Sequence, residues 1–326
     1  MGELAFVRSG CFDALKGSGM PINFLAWKPG PRAAVIGLPF FWLSVFFLLP
    51  FLLILRISLA QMDGALVTPL TTLSDGVLTI RIHLASFVQL VSDDLYFATY
   101  LVSVKYALIT ATICLAIGYP FAYFMSRSDR QWQPALLMGV ILPFWTSFLI
   151  RVYAWKSLLE PNGWVGAPIH ASGLDEVLAF LGMIPSPDQL MYSPFSLVLG
   201  MVYTYLPFMV LPLYATLSKM DLRLIEAAQD LGATPWQAFW RITVPLSKSG
   251  IVAGFMLVFI PCVGEYVIPE LLGGPETLMI GRVLWDEFFS NNDWPMASTV
   301  AVVMILVIIV PIAIFGRNQE RAQEAS

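Results

Sequence analysis

The sequence predicts an all-α, polytopic membrane protein of six transmembrane helices, and three observations carry that prediction. The 326 residues are 58% hydrophobic and 12% charged, with mean hydropathy +0.75, whereas a soluble domain carries roughly 25% charged residues. Six apolar runs each reach about 20 residues, the length that crosses a bilayer core. Lysine and arginine then concentrate in alternate loops between those runs, as membrane topology requires.

The first run, residues 33–55, contains no charge until its end. It is far longer than the roughly 7–15 residues of a signal-peptide core, so the Ser58-Leu59-Ala60 triplet beyond it does not make it a leader. It is expected to be a retained first helix. The remaining spans are expected near residues 99–124, 134–158, 195–217, 249–272 and 297–315. No Ser- or Gly-rich linker and no short repeat interrupts them. The parse is therefore a cytoplasmic N-terminal segment (1–32), one six-helix transmembrane domain (33–316) with a polar loop at 218–248, and a short cytoplasmic tail (317–326).

On the amino-terminal side fall Arg8, Lys16, Lys28, Arg32, Arg127, Arg130, Lys219, Arg223, Arg241, Lys248, Arg317 and Arg321. The opposite loops hold Arg81 and Arg282. This asymmetry places both termini and the 218–248 loop in the cytoplasm. The long loops 60–98, 159–194 and 273–296 then face outward.

Cys11, Cys114 and Cys262 lack metal-ligand spacing, and two of them lie in spans, so they read as apolar packing residues. No metal site is expected. His83 and His170 sit on different loops without an HExxH or nucleophile-elbow context, which argues against a membrane enzyme. No GxxxxGK[ST] phosphate loop occurs. The chain is expected to hold no cofactor of its own, and an ATP-driven mechanism needs a separate polypeptide for ATP and Mg. Nothing in the composition points to nucleic acid.

The polar loop carries its own folding signals. Asp221 can cap a short helix whose apolar face is Leu222, Ile225, Ala228 and Leu231. Gly232 stands where a helix ends in a left-handed residue. Thr234, Pro235 and Gln237 spell a capping box with proline at the first helical position. Trp236, Phe239 and Trp240 then offer large apolar faces to a partner pocket or to the membrane interface. Glu226, Ala227, Ala228, Gly232, Ile242, Val244 and Pro245 resemble the EAA loop of bacterial ABC importer permeases, with Val244 replacing a leucine. The resemblance implies the type I ABC importer permease class, with Glu226, Ala227, Ala228, Gly232, Pro235 and Trp236 docking on an ATPase.

The outward loops hold twelve acids, among them Asp63, Asp75, Asp188, Asp286 and Glu287, beside two bases. A negative vestibule favours a cation or the basic patch of another protein. Glu265 lies inside the fifth apolar run and Glu270 near its outer end. An ionisable group at such depth is a functional candidate. Two readings stand: Glu265 meets the transported cation, or it pairs internally with Arg151. Pro261 and Pro269 are expected to break this helix and free backbone carbonyls. Trp145, Tyr153, Tyr266 and Trp285 lie at a similar level, and aromatic faces beside carboxylates suit an alkylammonium ion.

The runs LPFWTSFLIRVYAW, YLPFMVLPLY, VFIPCVGEYVIPELLGGPETLMIGRVLWDEFF and DWPMAS resemble the permeases of bacterial polyamine importers. The likeness is greatest to the putrescine type, with the spermidine type next. It implies an inner-membrane complex with a second homologous permease, two ATPase copies and a periplasmic polyamine-binding protein. In that setting Glu265, Tyr266, Glu270, Trp145, Tyr153, Trp285, Asp286 and Glu287 are the candidate substrate pathway, with membrane lipid around it. The competing transport reading is an ion-coupled secondary carrier of organic cations using Glu265, which leaves the EAA loop without a purpose.

Overall fold

The computed structural model describes residues 31–64, 66–74, 77–187 and 189–324, with side chains at 31–34, 71–80 and 314–324 left aside. The expected N-terminal segment, including Cys11, falls almost wholly outside these residues, as do Asp75 and Asp188. By contacts the chain forms two units divided at Leu52. The first contains α1 (Pro31–Leu43), which continues through a π-helical stretch, Ser44–Leu48, into α2 (Leu49–Ser58). None of residues 35–52 is buried within the chain.

The second unit opens with two small antiparallel hairpins, β1 (Met62–Asp63) with β2 (Leu66–Val67), and β3 (Thr71–Ser74) with β4 (Val77–Ile80). Both hairpins lie in the loop between the first two spans, in a chain whose other described elements are helical. Gly64, at φ +63°, supplies the left-handed turn residue of the first hairpin. Next comes α3 (Ala85–Ser92), then α4 (Asp94–Arg127), a single 34-residue helix capped by the Asp93 carboxylate, which accepts from the Leu95 N–H at 2.9 Å.

The third span differs from expectation. α5 (Gln133–Ile141) and a 3-10 turn, Leu142–Trp145, end at Thr146, and α6 (Phe148–Leu159) leaves at 90°. Pro143 starts the turn, Thr146 is extended, and its hydroxyl donates to the Pro143 carbonyl at 2.7 Å. Two short helices follow, α7 (Gly166–Ser172) and α8 (Leu174–Phe180), then α9 (Pro194–Leu217), which opens on a Ser193/Ser196 capping box. The polar loop holds α10 (Arg223–Asp230), α11 (Pro235–Ala238), a π-helical stretch (Phe239–Thr243) and α12 (Val244–Leu246).

α13 (Lys248–Val263) leaves this segment at 64°. It stops at Val263, and α14 (Val267–Leu272) is a separate helix. The expected span over 249–272 is therefore broken at Gly264–Tyr266. The break falls between the two prolines expected to cause it, with Pro261 near the end of α13 and Pro269 in the first turn of α14. α15 (Ile280–Trp285) and α16 (Trp294–Glu324) complete the chain, and α16 runs on past residue 317, where a tail is expected. Among the described residues four helices are long and apolar enough to cross a membrane, or six if each bent pair counts as one span.

The core is the packing of α4, α9 and α13. Small residues allow the close approach, as in membrane bundles where burial from water is not the driving force. A Cβ at Gly250 would stand 2.5 Å from Thr216 Oγ1, and one at Gly254 2.8 Å from Met209 Sδ. Cys114 and Cys262 are buried here as packing residues. The second cluster joins α3, α4, α15 and α16 around Tyr96, Tyr100, Ile280 and Met296, tied by the Tyr100 hydroxyl donating to the Val300 carbonyl at 2.7 Å.

Candidate functional site

Two sites emerge, one in the polar loop and one at the broken fifth span. In the loop, α10 ends as the sequence predicts. Gly232 adopts φ +88°, the Gly232 N–H donates to the Gln229 carbonyl at 2.8 Å, and the Ala233 N–H to the Ala228 carbonyl at 3.0 Å. These two bonds form a Schellman motif. At once the next helix begins: Thr234 Oγ1 accepts from the Gln237 N–H at 3.3 Å, and Gln237 Oε1 accepts from the Thr234 N–H at 3.0 Å. Asp221, expected as the cap of α10, stands one residue ahead of the cap position Leu222, and its carboxylate accepts from the Arg223 N–H at 3.0 Å. Both helix ends at the turn are thus satisfied locally, and a rigid corner results.

No residue of α10 is buried. Of the expected apolar face, Ile225 and Ala228 are half-buried, while Leu222 and Leu231 are 48% and 90% exposed. Glu226 and Ala227 are exposed, as are Pro235 and Trp236 beyond the turn. Phe239 instead anchors the segment to α4, its ring edge-on to Tyr119 at 5.7 Å and Tyr123 at 5.6 Å.

At the opposite end of the bundle, Glu265 occupies the break after Gly264. It is buried, 9% exposed. Its Oε1 accepts from the Val267 N–H at 3.1 Å, and its Oε2 accepts from the Tyr205 hydroxyl of α9. The carboxylate thus caps α14, where the helix dipole favours a negative charge. The unwound backbone beside it is covered: a Cβ at Gly281 would lie 2.5 Å from the Glu265 carbonyl oxygen and 2.6 Å from that of Gly264.

The expected Arg151–Glu265 pair does not form. Arg151 lies over the rings of Phe144 at 5.4 Å and Phe148 at 6.0 Å. The ion pair at this level joins Glu270 and Arg282 at 2.7 Å, both partly exposed. Beside them Tyr266 and Trp285 stack at 4.4 Å, and Trp285 meets Phe289 at 4.1 Å. Glu287 is engaged elsewhere, accepting from the Tyr96 hydroxyl at 2.7 Å and from Asn291 Nδ2 at 2.9 Å. Asp286 follows Trp285 directly, half-buried. Trp145 and Tyr153 are 74% and 52% exposed and take no part in the Tyr266–Trp285 stack. In the loop before α9, His170 and Asp175 lie 2.7 Å apart, and this hydrogen bond holds the Asp175 carboxyl below the usual range. Among the described residues no group of His, Cys, Asp and Glu could hold a metal ion.

Residues 114–323 match the family described as "Binding-protein-dependent transport system inner membrane component". The chain belongs to this family. It is a multi-pass permease subunit of an ABC transporter. Its relatives include the "Spermidine/putrescine transport system permease protein PotB" of Salmonella typhimurium (strain SL1344), 38% identical over 276 residues, 85% of this chain and 89% of the relative. The PotB protein of Escherichia coli (strain K12) is 37% identical over 276 residues, 85% of this chain and 93% of its own. A bacterial ABC transporter that imports the acidic polysaccharide alginate shares the fold, with TM-score 0.55 and 18% identity over 89% of this chain and 95% of that one.

Within this permease the predicted loop residues are brought together, whereas the predicted pathway residues divide. Tyr266, Trp285 and Glu270 form one cluster; Glu265 supports it from behind; Trp145, Tyr153 and Glu287 lie outside it. Arg282 and Tyr205 are visible in the sequence, as one of two bases in acidic outward loops and a span aromatic, but are not among the predicted pathway residues.

Proposed function

We propose that this permease is one of two membrane subunits of an ATP-driven importer of polyamines, putrescine or spermidine, in the bacterial inner membrane. The observation that carries the substrate is the Glu270 carboxylate beside the Tyr266–Trp285 stack, a site already shaped around the guanidinium of Arg282. A carboxylate pairs with an ammonium, and aromatic faces attract the cation and its methylenes. The spermidine/putrescine names of relatives at 37–38% identity support the same class.

The loop of α10 and α11 is the dock for an ATPase, which exists in two copies and holds ATP and Mg. Both termini and this loop face the cytoplasm, on the positive-inside asymmetry. A periplasmic polyamine-binding protein delivers its cargo at the opposite end. ATP-driven closure of the ATPase pair moves the capped corner at Gly232–Thr234 as a rigid piece. Phe239 passes that displacement to α4, and α13 carries it toward the break at Glu265.

Uptake competition among putrescine, spermidine and cadaverine in the reconstituted complex tests the substrate assignment. Glu270→Gln is expected to weaken every one of them at least tenfold. Unchanged uptake of all three in that variant would remove Glu270 from the pathway.

A further inference from the structure

The segment joining α11 to α13 does not lie flush against α4. Ala116, Tyr119 and Tyr123 on α4 face Trp236, Phe239 and Trp240 across an apolar groove of about 540 Å³. No carboxylate lines it, so a polyamine would find no counter-charge there. Trp236 and Trp240 are 69% and 52% exposed, which suits side chains at a membrane–water interface.

The groove ends at a cation. Arg127 follows Tyr123 by one helical turn, and its guanidinium lies 5.1 Å over the Tyr123 ring. Among the described residues Arg127 forms no ion pair, and its Nε and Nη2 are enclosed without an acceptor. An unbonded enclosed guanidinium is costly unless a counter-charge arrives. Arg127 also lines a second cavity of about 450 Å³ together with Ser128, Asp129 and Trp132. Asp129 likewise has no ion-pair partner among the described residues.

Dimensions match one membrane leaflet. From Leu115 to Arg127, α4 rises about 18 Å at 1.5 Å per residue, against about 15 Å for half of a 30 Å hydrocarbon core. The apolar slot thus has Tyr123 at one end, the Arg127 guanidinium lies over that ring, and Arg127 shares a separate cavity with Asp129.

We propose that the groove binds a zwitterionic phospholipid from the leaflet on the coupling-loop side. The acyl chain lies between α4 and the π-helical Phe239–Thr243 stretch. The phosphate meets Arg127, and the headgroup ammonium meets Asp129. The lipid contacts Phe239 and Trp240, so it sets how firmly the loop helix is held to α4. The site is independent of the substrate reading.

Brominated lipids quench nearby tryptophans, which gives a direct test in the fully assembled complex in nanodiscs. The groove signal is the difference between wild type and a Trp236→Phe, Trp240→Phe double variant. Dibrominated phosphatidylethanolamine is expected to quench that signal at least twofold more than dibrominated phosphatidylglycerol. Arg127→Gln is expected to lower the quenching by both lipids, and Arg127→Lys to restore it. Ala116→Phe fills the slot from an exposed position and is expected to abolish it. Quenching that ignores both Arg127 and Ala116 would reduce the site to ordinary annular lipid and overturn the proposal. Absence of quenching in the wild-type complex would show that another subunit covers the groove, and would overturn it equally.

Discussion

Tyr205 on α9 donates its hydroxyl hydrogen to the carboxylate of Glu265, which in turn caps α14 through the Val267 N–H. One buried side chain therefore ties the core helix α9 to the short helix that carries Glu270. On the function proposed above, Glu265 positions the site and Glu270, five residues on and half exposed, is the group that would face the cation. Removing the hydroxyl leaves a buried carboxylate short of one donor, which costs about 1–3 kcal/mol. Tyr205→Phe is expected to lower the melting temperature of the purified complex and to raise the KM for polyamine. A variant with wild-type melting and KM would show that the contact positions nothing.

Gly232 offers a separable test, because a Cβ there meets open space while φ stands at +88°. Within this chain the cost of substitution is therefore a backbone effect, about 1 kcal/mol or more for a β-branched residue, and comparing Val with Asn separates it from contact with the ATPase. Gly232→Val is expected to insert and fold in the membrane but to lose substrate-dependent ATP hydrolysis. Gly232→Asn, which tolerates left-handed backbone, is expected to retain most of it. Equal activity in both variants would refute the rigid-corner account.

The Arg282–Glu270 pair is partly exposed, and such pairs contribute about 0–1 kcal/mol to stability. Arg282→Gln is expected to leave thermal stability nearly unchanged while making Glu270 more available, lowering the half-saturating polyamine concentration several-fold. A weaker half-saturation in this variant would mean that Arg282 assists binding and does not compete with the cation.

Asp175 predicts a dependence on acid. Its folded carboxyl titrates below the unfolded value because of the His170 hydrogen bond. The contribution is therefore present above the unfolded pKa of about 3.9 and is lost as pH falls through the lower, folded one. Protease resistance of the α7–α8 loop is expected to fall in acid in the wild type, and Asp175→Asn to show that reduced resistance already at neutral pH. Matching pH profiles would remove the pair from loop stability.

Local signals were the legible ones. The Gly232 turn and the Thr234–Gln237 box depend on residues within a few positions of one another, and both form as spelled. The Asp63-Gly64 hairpin signal was equally local but lay inside a loop read for its charge. The break near Gly264 was legible in Pro261 and Pro269, whereas the cover over its carbonyls was hidden, because Gly281 of α15 is distant in sequence. Charge pairing was hidden for the same reason. Composition named Glu265, Glu270, Arg151 and Arg282, but the fold decides that Glu270 meets Arg282 and that Glu265 meets a tyrosine. The right angle at Thr146 had a local cue in Pro143, masked by an apolar run that hydropathy treats as continuous.

The central claim is that a capped cytoplasmic corner drives a carboxylate-and-aromatic cation site through this permease. The most direct measurement is uptake of labelled putrescine and spermidine by proteoliposomes holding the whole complex, with ATP hydrolysis followed in parallel. The account predicts ATP-dependent uptake without any ion gradient. Gly232→Val should lose both uptake and stimulated hydrolysis, while Glu270→Gln should lose uptake and keep basal hydrolysis. Uptake that follows a proton or sodium gradient and ignores ATP would contradict it.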